Sequence, residues 1–98
     1  MVAAGQGRLT EAMERYRHVW QRRRQLLGDD HPDTLTARHE LAWVAALLGL
    51  QATAETIYRE VAAARRRVLG HDHPATLLTQ AALDGLEEGR IIVPHHLA

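Results

Sequence analysis

Seven histidines are the side chains of this chain best suited to site chemistry. His71 and His73 stand two apart, and His95-His96 are adjacent. Imidazoles at close spacing could ligate zinc. A zinc site, however, needs three or four ligands converging tetrahedrally, and none of the usual spacings occurs. The chain has no cysteine, so thiolate ligands and disulfides are excluded. His31 and His73 hold equivalent places in two similar connectors, for which a structural role is the simpler expectation. No metal and no cofactor is expected. Catalysis finds as little support. Glu87 and Glu88 are neighbours and diverge on a helix. There is no serine or cysteine nucleophile and no glycine loop built to cradle phosphate. The expectation is that the protein is not an enzyme.

Charge excludes further classes. Twelve basic residues, all arginine, balance twelve acidic ones. A nucleic-acid binder normally carries a basic excess, so none is expected as a partner. Arg22-Arg23-Arg24 and Arg65-Arg66-Arg67 fall in the last turns of predicted helices, where cations complement the negative dipole end. Both runs are expected to be solvated. No segment approaches the roughly 20 apolar residues of a membrane span. Met1 to Gly7 lacks the long apolar stretch of a secretory signal. A cytoplasmic location is expected.

The elements that must position any site repeat themselves. Leu27-Gly28-Asp29-Asp30-His31-Pro32-Asp33-Thr34-Leu35 returns 42 residues later as Leu69-Gly70-His71-Asp72-His73-Pro74-Ala75-Thr76-Leu77. Residues 7–43 laid over 49–85 give 15 identities in 37 positions without a gap. A period between 20 and 50 residues marks a stacked repeat array. Each unit of such an array buries its apolar face on its neighbours and leaves a curved surface for binding. Apolar spacings of three and four predict helices over about 8–27, 33–48, 52–69 and 75–88. Gly28, Gly49 and Gly70 supply the stops, and Pro32 and Pro74 the restarts. Thr10 is an available cap for the first helix. The reading is an all-α repeat domain over residues 1–90 with a tail over 91–98. The tail either caps the exposed end or stays disordered. Ala12, Tyr16 and Val19 correspond to Ala54, Tyr58 and Val61, and Trp20 is expected in the core.

Two helices with Leu-Gly before the turn, and alanine and an aromatic four residues apart, resemble the tetratricopeptide repeat. The 42-residue period and the Leu-Gly-x-Asp-His-Pro-x-Thr-Leu connector are similar to the longer variant of kinesin light chains and of many actinobacterial regulatory proteins. The resemblance spans about residues 7–86. It implies a short right-handed superhelix of antiparallel helices. It also implies a concave surface formed by Thr36, His39, Trp43, Ala46 and Leu47, then Leu78, Ala81 and Gly85. Long-period relatives usually carry Asn-Asn where this chain has His39-Glu40 and Ala81-Ala82. His39 and Glu40 can still make polar contacts.

The functional expectation is a protein–protein interaction module. It would present Thr36, His39, Glu40, Trp43, Leu47 and Leu78 to a protein or peptide partner. Trp43 has two readings, a groove anchor or a residue packed against a neighbouring helix or second chain. The alternative function is a structural self-assembly element, or an excerpt of a larger regulatory protein, with no separate ligand. The chain opens with the second helix of one unit and closes with the first helix of another. Homo-oligomerisation through these open repeat ends is therefore expected.

Overall fold

The computed structural model describes residues 3–94, with side chains from residue 7 onward. Its helices are α1 Ala3–Leu27, α2 Pro32–Leu47, α3 Gln51–Leu69 and α4 Pro74–Glu87. No strand occurs among the described residues. Helix α1 starts at Ala3, well ahead of the expected start near Arg8. No proline separates the two positions, so nothing breaks the helical run. The His95-His96 pair and the end of the tail lie outside the described residues.

Both connectors are built alike. His31 Nδ1 accepts a 3.0 Å hydrogen bond from Asp33 N, and His73 Nδ1 accepts one of 3.0 Å from Ala75 N. Both histidines have extended backbone, as an N-cap residue should, and each is followed by proline at the first helical position. An arginine of the preceding helix then holds the next helix's first turn. Arg23 Nη1 donates to the Asp33 carbonyl at 2.9 Å, and Arg65 Nη1 to the Ala75 carbonyl at 3.0 Å. The two pairs are related by the 42-residue period.

The intervening stops differ from these connectors but match each other. At the end of α2, Leu50 N donates to Ala45 O and Gly49 N to Ala46 O. At the end of α4, Arg90 N donates to Gly85 O and Gly89 N to Leu86 O. This paired closure needs a left-handed residue, and Gly49 and Gly89 both have φ of 81°. The period alone would place the second such residue at position 91. Helix α4 therefore ends early, and the chain turns back sooner.

The core lies along α3, which packs between α2 and α4. Ala54, Tyr58 and Val61 are spaced by four and three, fall on one stripe and are buried. Leu35, Leu41, Ala42 and Ala45 of α2 and Ala82, Leu83 and Leu86 of α4 close over them. Trp20 of α1 is half-buried against this cluster. Its ring lies 4.3 Å from the Arg38 guanidinium, which itself pairs with Glu60 at 2.6 Å. Ile92 of the tail packs on the cluster beside Gly85 of α4.

Candidate protein-binding surface

Thr36, Glu40, Trp43 and Leu47 are spaced by four, three and four, so they share one face of α2. Thr36 is half-buried. Its hydroxyl donates to Pro32 O at 3.0 Å and accepts from Arg65 Nη2 at 3.3 Å. Trp43 is half-buried as well. Its indole N–H is enclosed, with no hydrogen-bond acceptor among the described residues. Leu47, one turn on, is 39% exposed. Leu78 on α4 is half-buried. Each of these four is at least partly exposed.

His39 and Glu40 lie deeper. His39 is 2% exposed, with Nδ1 hydrogen-bonded to Thr79 Oγ1 at 3.0 Å. Its ring meets Tyr58 edge-on, centroids 5.1 Å apart. Glu40 is buried near Tyr16. Burial, then the Glu40 charge, raises the Tyr16 hydroxyl above its ordinary pKa. Burial pushes the Tyr58 hydroxyl up to about 12.

Beneath the surface sits a cluster that sequence reasoning missed. Arg65, expected in a solvated run, is 4% exposed. Its guanidinium donates to Thr79 Oγ1 at 2.7 Å, to the Ala75 carbonyl and to Thr36 Oγ1. Desolvation pushes it below its ordinary pKa. The physical reason is register. Arg65 follows Val61 by four on the stripe of Ala54 and Tyr58, so the helix aims it between α2 and α4. That spacing is the signal that could have found it. Arg66 and Arg67 turn outward, to Gln80 and to Asp30. Thr36, Arg65, Thr79 and His39 thus form a continuous polar chain across three helices.

No group of three or more histidine, aspartate or glutamate side chains converges to hold a metal among the described residues. No helix among them is long and apolar enough to cross a membrane. A cavity of about 210 Å³ beside Trp20 is lined by Arg24, Asp29, Asp30, Arg38 and Glu60; Arg24 pairs with Asp29 and Arg38 with Glu60, while Asp30 pairs with Arg67 outside it.

A family model described as tetratricopeptide repeat matches residues 1–67. The chain belongs to the tetratricopeptide repeat family. Members of this family generally mediate protein–protein interaction, and the four antiparallel helices here have the family's all-α repeat architecture. The match covers α1 to α3, and the connector ahead of α4 repeats the one ahead of α2. Searches of curated proteins and of solved structures found no match.

Proposed function

We propose that this chain is a protein–protein interaction module whose recognition surface is the α2 face bearing Thr36, Trp43 and Leu47, with Leu78 of α4 beside it. The observation that supports it most is the pairing of half-buried Trp43 with exposed Leu47 one turn on. Partly exposed aromatic and aliphatic anchors of this kind dominate interface energetics. The buried chain of Thr36, Arg65, Thr79 and His39 holds α2 against α4, so the surface is preformed and loses little freedom on binding. His39 and Glu40 serve from beneath, by positioning. No amide side chain stands at positions 39, 40, 81 or 82, so recognition rests on the apolar anchors rather than on clamping a peptide backbone. The module has no chemistry of its own, and its working location is the cytoplasm.

Peptides selected from a displayed random library against the intact chain test this reading. Binding should fall about tenfold or more with Trp43→Ala and with Leu47→Asp, as expected for an interface anchor. In a Trp20→Phe background, bound peptide should shift the fluorescence of Trp43. Peptides that bind both variants as well as the parent chain would overturn the proposal.

A second reading, self-association through the open repeat ends, is favoured by one contrast. Val61 of α3 is fully buried, whereas Val19, its equivalent on α1, is 37% exposed.

A further inference from the structure

The α2–α3 pair shows what the two outer helices lack. On α2, the stripe Leu35, His39, Ala42 and Ala46 is buried, and His39 meets Tyr58 of α3 there. The period carries this stripe onto Leu77, Ala81 and Asp84 of α4 and Glu88 at its C-cap, and all four are exposed. On α3, the stripe Ala54, Tyr58 and Val61 is buried. Its equivalents on α1 are Ala12, Tyr16 and Val19. Together with Arg8, Glu11 and Arg15 they line an open groove of about 460 Å³ formed by α1 alone. Helix α4 thus exposes the face that α2 buries on α3, and α1 partly exposes the face that α3 buries on α2.

The balance of charge on these two faces is opposite: Asp84 and Glu88 on one, with Arg90 paired to Glu88, and Arg8 and Arg15 on the other, with Glu11 between them. Asp84 and Glu88 stand where α2 has Ala42 and Ala46. Arg8 and Arg15 stand where the next unit has Leu50, the N-cap of α3, and Ile57. The α2–α3 pair is antiparallel, with the end of α2 beside the start of α3. A pair built on the same plan from α4 and α1 sets Asp84 and Glu88, at the end of α4, against Arg8 and Arg15 of α1. Its alanine and tyrosine stripe stays apolar between them.

We propose that this chain associates head to tail, with the Leu77–Ala81–Asp84–Glu88 stripe of one copy docking on the α1 groove of a second copy and completing between them the helix pair that α2 and α3 form within one. The contact rests on the self-association reading and gives it a definite surface. It is heterologous, because two different faces meet, and because it copies the stacking of one repeat on the next, which forms an open superhelix, it extends rather than closing on itself. The described part of the tail seats Ile92 at Gly85, beside the α4 stripe; the four stripe residues stay exposed, with Glu88 paired to Arg90.

Sedimentation equilibrium of the full chain over a wide concentration range provides the test, with helicity checked on each sample. The average mass should rise without a dimer plateau and fall with added salt, since exposed ion pairs are screened. An R8E/R15E variant should associate about tenfold more weakly, and so should a D84R/E88R variant, because each sets like charges face to face. An equimolar mixture of the two should regain the parent's association, since opposite charges then meet at both contacts. That recovery also shows that both variants fold. A strictly monomeric parent chain overturns the proposal, as does a closed dimer. Association that ignores both variants overturns it too, while leaving self-association itself standing. Peptide binding at Trp43 should be unchanged in both variants, which separates this contact from the recognition surface.

Discussion

Ile92 Cδ1 lies 2.9 Å from the point that a Cβ on Gly85 would occupy. Gly85 is the α4 equivalent of Trp43, so a bare backbone stands where the previous unit has its largest side chain. The early stop at Gly89 and the bond from Arg90 N to Gly85 O at 2.7 Å turn the tail into that space. Gly85→Ala therefore has two opposed effects. Alanine gains about 1 kcal/mol of helix propensity, and its methyl group pushes on Ile92. Urea denaturation should show little net change in the parent chain. In an Ile92→Ala background the same substitution should stabilise by about 1 kcal/mol. The difference measures the contact as a double-mutant coupling.

Two buried threonines should respond in opposite ways to valine. Thr79 bonds both His39 and Arg65, so Thr79→Val leaves a buried guanidinium and a buried imidazole each short of a partner. The expected cost is about 2–3 kcal/mol. The Thr34 hydroxyl is buried with no hydrogen-bond partner among the described residues. Thr34→Val removes that desolvation penalty, and it should be neutral or stabilising by up to about 1 kcal/mol. Chemical denaturation of the two variants side by side checks the contrast.

The histidine caps can be tested in pairs. His31→Ala and His73→Ala each remove the side-chain acceptor of the capped amide, that of Asp33 or Ala75. Each should cost about 1 kcal/mol. His31→Asp and His73→Asp should restore most of it, because aspartate caps well and its charge suits the helix N-terminus. Thermal unfolding of the four variants decides. Aspartate variants no better than alanine would show that the imidazoles act by packing instead.

Alkaline pH should weaken the fold through Tyr58. Its folded-state pKa is raised from the ordinary 10.0 to about 12 by burial. The folded chain holds that proton where the unfolded chain has lost it. The contribution is therefore complete below pH 10 and is lost as pH climbs toward about 12. Stability from urea denaturation should fall across this window in the parent chain and fall less in Tyr58→Phe. Equal declines would place the effect on other groups.

Much of this architecture is written locally. The 42-residue period, the glycine stops and the His-Pro restarts each depend on a few consecutive residues with a definite backbone preference. Helix number, order and connectors could therefore be read from residues 27–35 and 69–77 together with the stop at Gly49. The stripe Ala54, Tyr58 and Val61 was legible for the same reason, since helical spacing settles which side chains share a face.

What the tertiary structure decided are the partners of those faces. The sequence places Arg65 in a run of three arginines, and the convergence of α2, α3 and α4 buries it beside Thr79. His39 sits on the face of α2 that the resemblance assigns to the groove, and the approach of α4 encloses it. The tail's apolar residues announce no destination until α4 stops early and Gly85 leaves room. Local backbone chemistry acts within one helical turn. The burial of a charged or polar side chain depends instead on helices tens of residues apart in the chain meeting around it.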